Sequence, residues 1–89
     1  MNLQQLRYVA EVAQRNLNVS EAARALHTSQ SGVSRQISLL EEELGVDVFV
    51  RQGKRLVAIT RPGEEVVAIA RRMLRDIGAL RQVGDEYAS

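Results

Sequence analysis

The sequence predicts a mainly α winged helix-turn-helix fold, with a three-helix core, a short two-stranded wing and a long linker helix after it. Three observations carry this expectation. Val19 to Ser38 reads as two amphipathic helical stretches around a tight turn. Two short β-branched runs flank Gln52-Gly-Lys-Arg55. A Pro-led amphipathic run then extends from Arg61 almost to the end of the chain.

Taken in order, Leu3, Leu6, Val9, Ala10 and Ala13 recur at helical spacing, which predicts a first helix over about Leu3 to Arg15. Asn16-Leu-Asn18 breaks it. Asn18 with Glu21 three residues on forms an Asn-led variant of the capping box, so a second helix is expected over Val19 to Leu26, burying Ala22, Ala23 and Leu26. His27-Thr28 is the turn, and His tolerates a positive φ better than most non-glycine residues. Ser29 or Thr28 caps a third helix reaching Glu43 or Leu44, with Gly45 as its stop. Val33, Ile37, Leu40 and Leu44 should bury this helix and leave Gln30, Ser31, Ser34, Arg35 and Ser38 facing out. Gly32 lies inside it. A helical Gly costs roughly 0.5–1 kcal/mol relative to Ala, so a close neighbour is implied. That neighbour is either a phosphate or base, or the second helix packed tightly.

Val46 to Arg51 and Leu56 to Ile59 are the expected strands, giving a wing over residues 48–59. Thr60 caps a final helix over about Arg61 to Glu86, with Pro62 in its first turn, where the missing N–H is harmless. Such a helix is about 38 Å long, more than a three-helix core can cover. Val66, Ala70, Met73, Ile77, Leu80, Gly84 and Tyr87 follow at 4-3 spacing, while Val67, Ile69 and Leu74 are free to turn toward the body of the domain. The seam predicts a coiled-coil-like homodimer; the alternative is a downstream domain of the same chain packed on it. The expected division is 1–60 for the winged helix-turn-helix, its motif at 19–38, and 61–89 for the linker and dimerisation helix.

Eighty-nine residues make one domain with a small core, for which a partner subunit or a further domain is expected. Twelve Lys and Arg against eleven Asp and Glu leave a net charge of +1, which argues against a strongly basic coat protein. The distribution says more. From Val48 to Gly63 there is no acid but Arg51, Lys54, Arg55 and Arg61, whereas Glu41, Glu42 and Glu43 lie at the far end of the third helix. With no Cys and only His27, no metal site is expected. No apolar run has the length of a membrane span and the start lacks an export signal, so a soluble cytoplasmic protein without a membrane role is expected. Tyr8, Phe49 and Tyr87 are too few and scattered to stack single-stranded bases. An enzyme is not expected either: the best constellation, Glu41, Glu42, Glu43 and His27, has consecutive carboxylates pointing in different directions.

The outward face of the third helix points to double-stranded DNA. Gln and Arg make bidentate bonds to base edges, and small Ser and Gly side chains let a helix backbone approach the duplex. Gln30, Ser34 and Arg35 are the expected base readers, with Ser31, Gly32 and Ser38 beside them. Lys54 and Arg55 are candidates for phosphates or the minor groove, the alternative being an ordinary solvated hairpin tip. Ser20 either touches a phosphate at the start of the second helix or assists its cap. A rival reading from another class makes the fold a protein-interaction and dimerisation module without specific DNA binding.

These residues as a set resemble the N-terminal DNA-binding domain of LysR-type transcriptional regulators over essentially the whole chain. The resemblance rests on Leu3-Gln-Gln-Leu-Arg-Tyr8, Ala22-Ala-Arg-Ala-Leu26, Ser29-Gln30 with Val33-Ser-Arg-Gln-Ile37, Leu40-Glu-Glu-Glu-Leu-Gly45, and Phe49 with Arg51. Asn16-Leu-Asn-Val-Ser20, His27 to Ile37 and Arg51-Gln-Gly-Lys54 look most like the subgroup that regulates cysteine biosynthesis and sulfur assimilation. The family pattern implies Gln30, Ser34 and Arg35 in the major groove, Gly53-Lys54-Arg55 near the flanking minor groove or its phosphates, and a linker helix paired with its twin. The two-fold dimer that the seam predicts calls for an inverted-repeat promoter site, and the full-length protein could form a higher oligomer. Two positions depart from the pattern: Ser31 where Pro is common, and Thr60-Arg-Pro-Gly63 where Thr-Pro-Ala-Gly is usual. The chain stops after the linker helix, so the family's effector domain falls outside it. No cofactor or inducer is expected to bind these residues, although the subgroup resembles regulators that respond to acetylserine and sulfur anions.

Overall fold

Each helix among the described residues begins where a side-chain oxygen accepts from the free amide of its third residue, and these caps set the element boundaries. The structure, a computed structural model, describes residues 1–88; Ser89, the last residue of the expected linker segment, lies outside them. The order is α1 (Leu3–Gln14), α2 (Val19–Ala25), α3 (Gln30–Leu44), β1 (Phe49–Gln52), β2 (Arg55–Ile59) and α4 (Arg61–Tyr87). Asn2 accepts from the Gln5 amide at 2.8 Å, Asn18 from Glu21 at 3.0 Å, Ser29 from Gly32 at 3.0 Å and Thr60 from Gly63 at 2.9 Å. Each such cap is worth about 1 kcal/mol over Ala. The expected capping box forms only by half, because the Glu21 carboxylate turns to Arg24 at 3.5 Å and Arg15 at 4.0 Å.

The turns follow from backbone tolerance. His27 takes φ 55°, as its place in the helix-turn-helix predicts, and Gly45 ends α3 at φ 74°. Asn16 and Leu17 are also left-handed, at φ 55° and 66°. For a residue like Leu this conformation costs on the order of 1–3 kcal/mol. It is held by the Leu17 side chain packed on the core and by the Leu17 N–H donating to the Val12 carbonyl at 2.9 Å.

The core lies where α1 packs against α3 and α4 and α2 packs against α3. Val9, Val12, Val33, Ile37, Leu40, Val48 and Phe49 are its fully buried centre. Two residues expected inside, Leu3 and Leu44, are exposed, because each sits at a helix end beyond the reach of the opposing element. Gln5, Tyr8 and Val12 are buried instead. Gln5 donates to Gln36 on α3 at 3.1 Å, and the Tyr8 hydroxyl accepts from Gln4 at 3.0 Å.

The wing is antiparallel, pairing Phe49 with Ile59, Val50 with Ala58, Arg51 with Leu56 and Gln52 with Arg55, with a bulge between Val50 and Arg51. β1 starts at Phe49, later than the expected Val46. The Val48 and Phe49 amides donate to Glu41, and the Val48 carbonyl accepts from the Thr60 amide at 3.0 Å, so Val48 is tied to α3 and to the start of α4. Gly63 has to be Gly: a Cβ there would lie 2.0 Å from the Val48 carbonyl oxygen.

Helix α4 has 27 residues, about 40 Å. Its buried residues are Gly63, Val67 and Ala70. Two seam assignments are therefore corrected. Ala70 is 0 % exposed and belongs to this domain's own interior, and Ile69, expected to turn inward, is 46 % exposed; Val66 is half-buried against the core. The open apolar stripe is Ile69, Met73, Leu80, Val83 and Tyr87, with Ile77 half-buried along its border. By helical geometry it lies about 100° around the helix from the buried face.

Candidate nucleic-acid interface

The first half of α3 forms one wall of a groove and the wing forms the other. Gln30, Ser31, Ser34, Arg35 and Ser38 are all exposed: the last four turn away from Val33, Ile37 and Leu40, and Gln30, one heptad before Ile37, is open because it begins the helix. The groove runs between Gln30, Ser31 and Ser34 on α3 and Gly53 and Lys54 on the wing. A cleft continuous with it joins Asn16, Asn18 and Ser20 to Gln30, Lys54 and Arg55. The structure thus brings Ser20, Gln30, Ser31, Ser34, Lys54 and Arg55 together across one concavity. Gly53 at φ 64° makes the tight turn that presents the two basic tip residues.

Three expected residues differ in setting. Arg35 lies outside that concavity, on the open face of α3. Ser38 opens on a separate hollow with Glu41, Glu42 and Asp47, an acidic neighbourhood. Gly32 is small for a local reason, since a Cβ would meet the Ser29 hydroxyl at 3.0 Å and the Thr28 hydroxyl at 3.2 Å. The close neighbours are the helix's own cap and the turn before it rather than α2. Ser31, at the position where the family pattern often has Pro, places its hydroxyl 3.3 Å from that of Ser29, and the helix starts in order without the proline.

The charges sort by pairing. Among the described residues no carboxylate pairs with Arg35, Lys54, Arg55 or Arg61. Arg51 is different. It grips Glu41 with both guanidinium nitrogens, Nη2 to Oε1 at 2.8 Å and Nη1 to Oε2 at 3.4 Å. The acid-free stretch from Val48 to Gly63 therefore offers three uncommitted cations rather than four.

Glu41 is the residue that sequence reasoning missed. Burial pushes its pKa up, but the bonds from Arg51, from the Val48 and Phe49 amides, and the Arg51 charge outweigh it and hold the carboxyl below its ordinary value. The only signal in the sequence is one acid of three set at the register of Ile37 and Leu40, followed by an Arg ten residues on. The neighbouring Glu42 and Glu43 face solvent. Among the described residues no three His, Cys, Asp or Glu gather as a metal site would need, and no helix is long and apolar enough to cross a membrane.

Residues 3–64 match the family described as bacterial regulatory helix-turn-helix protein, lysR family. The chain is similar to the HTH-type transcriptional regulator SsuR of Burkholderia cenocepacia, 53% identical over 88 residues, covering 99% of this chain and 29% of that protein. It is also similar to the HTH-type transcriptional regulator CysB of Haemophilus influenzae, 49% identical over 87 residues, covering 98% of this chain and 27% of that one. The chain thus spans under a third of the length of these relatives, which are transcriptional regulators and not enzymes. Among solved structures, the CbnR DNA-binding domain in its complex with DNA superposes with a TM-score of 0.86 at 32% identity, covering 100% of both chains. With the family match over most of the sequence and the same winged architecture, this chain belongs to the LysR family of bacterial helix-turn-helix regulators.

Proposed function

We propose that these residues are the part of a LysR-family transcriptional regulator that binds double-stranded DNA in a sequence-specific way. One observation carries the reading: the open face of α3, with Gln30, Ser34 and Arg35, stands beside a wing whose Lys54 and Arg55 have no acid partner among the described residues. A helix presenting Gln and Arg fits the major groove, and two basic residues at a hairpin tip fit the phosphates flanking it. The likeness to a domain solved on DNA supports this. In this reading Gln30, Ser34 and Arg35 read bases, Ser20, Ser31 and Gly32 allow close approach to the backbone, and Ser38 contributes least because of its acidic setting. Residues 1–60 then carry the DNA contacts and residues 61–89 the link between subunits.

The stripe from Ile69 to Tyr87 supports a homodimer through α4, and a two-fold protein calls for an inverted-repeat site. The similarity to SsuR and CysB, together with the subgroup motifs, supports regulation of sulfur-assimilation genes, which would place the regulator in the cytoplasm. A titration of labelled duplex against protein at several salt concentrations tests the DNA reading. Affinity that falls steeply with salt is expected. No binding at any salt would leave the fold as an assembly module only.

A further inference from the structure

Glu41 sits where α3 meets the wing, 6 % exposed. Its carboxylate accepts from the Val48 amide at 2.7 Å, the Phe49 amide at 3.2 Å, and Arg51 at 2.8 and 3.4 Å. All four donors belong to β1 or the residue leading into it. Phe49 and Arg51 lie two residues apart on β1 and so share the face turned to α3, while the register shift takes its extra residue, Val57, on β2; the Arg51 guanidinium thus reaches Glu41. Only Gln52 and Gly53 separate Arg51 from Lys54 and Arg55. A two-stranded hairpin has little rigidity of its own. Past Phe49 the first strand is exposed, so its outermost tie to the domain is this ion pair, with half-buried Leu56 as the tie on the second strand.

We propose that Glu41 is a positioning residue for DNA binding: by clamping Arg51 and the Val48 and Phe49 amides to α3, it holds Lys54 and Arg55 at the distance from Gln30 and Ser34 at which both engage one duplex. This rests on the DNA-binding reading above. A buried ion pair is a poor device for stability alone, because desolvation cancels most of the attraction, whereas it is a good device for fixing geometry. Arg51 also lines the groove, but both of its Nη atoms are committed to the one Glu41 carboxylate, which leaves it less free to bind a phosphate.

The test is a double-mutant cycle on the 89-residue chain, read as the affinity for a short labelled duplex of random sequence at fixed salt. Glu41→Gln keeps an oxygen for the strand amides and removes the charge that holds Arg51. It should weaken binding about fivefold when the wing is intact, and less than about twofold when Lys54→Ala and Arg55→Ala are already present. The thermal midpoint should drop by the same amount in both backgrounds, so stability alone cannot produce the difference. Arg51→Gln cuts the clamp from the other side and should give the same cycle if Glu41→Gln folds poorly by circular dichroism. Equal fold-losses in both backgrounds would overturn the proposal, as would unchanged or tighter binding by Glu41→Gln. Failure of the unmodified chain to bind the duplex at any salt would remove the DNA-binding reading itself, an outcome distinct from additive losses in a protein that binds.

Discussion

Helices α3 and α4 each leave a long face open to solvent, and the two faces differ in kind. The open side of α3 carries Gln30, Ser31, Ser34, Arg35 and Ser38, whereas that of α4 carries Ile69, Met73, Leu80, Val83 and Tyr87. Water satisfies the first, and a partner must offer hydrogen bonds at least as good to displace it. Water does not satisfy the second, where any apolar cover is favourable by roughly 25 cal/mol per Å² removed from water. The first surface therefore suits selective recognition and the second suits lasting assembly, and substitutions on the two should separate cleanly.

The largest effects should come from neither open face but from the buried side of α4. Gly63→Val drives a side chain into the Val48 carbonyl, where even a Cβ lies 2.0 Å away. Ala70→Asp puts a carboxylate where exposure is 0 %. Each should cost upwards of about 3 kcal/mol, seen as a large drop in the urea midpoint. Retention of the midpoint by Ala70→Asp would mean that α4 does not seal this core.

Leu80→Asp should behave oppositely. Leu80 is 70 % exposed on the stripe, two turns before Tyr87, so the monomer's stability should change little. Covering such a side chain contributes roughly 1.5–3 kcal/mol, and dimerisation measured by sedimentation should weaken by about that much per stripe position lost. An unchanged dimer would move the interface off this stripe.

The contrast between the helices also explains what could be read from the chain. In α3, Val33, Ile37 and Leu40 form one apolar face and the rest is polar apart from exposed Leu39 and Leu44, so periodicity separates inside from outside along the helix except at its last turn. In α4 two apolar faces lie side by side, and the 4-3 series from Val66 to Tyr87 starts on the inner one and ends on the outer. A straight helix drifts against a 3.5-residue repeat, so such a series cannot keep to one face. Glu41 escaped notice for a different reason. Its place in a run of three glutamates reads as a solvated helix end, and the Arg that neutralises it lies beyond a turn. Caps, turns and wing depend on local chemistry and were legible; the long-range ion pair was not.

On the α3 face, Gln30→Ala and Arg35→Ala should leave the thermal midpoint unchanged, since both side chains are exposed and make no ion pair among the described residues. Each should reduce the preference for operator over scrambled duplex by about 1–3 kcal/mol. The comparison is sharpest at one salt concentration, and an unaltered ratio for both variants would take base reading away from α3.

Glu41 gives the fold a pH dependence. Its folded pKa is below its ordinary value, so its stabilisation is complete above the unfolded carboxyl value of about 4.3 and is lost as pH falls through the lower folded value. Denaturation midpoints measured down an acid series should decline in that window for the unmodified chain and decline less for Glu41→Gln. Parallel curves would show that another carboxyl controls the acid limb.

The smallest effect is expected at the wing tip. Lys54 and Arg55 are exposed, have no acid partner among the described residues, and sit beside the groove rather than within the core. Their attraction for phosphate is long-ranged and indifferent to sequence, so Lys54→Ala or Arg55→Ala should weaken binding to operator and scrambled duplex alike. Each lost phosphate contact should make the slope of log affinity against log salt shallower by about one unit. That separates the tip from α3, whose variants should change the ratio and barely touch the slope. If a tip variant altered which bases are preferred, the wing would be sensing minor-groove width, and the division between a reading helix and a gripping wing would have to be redrawn.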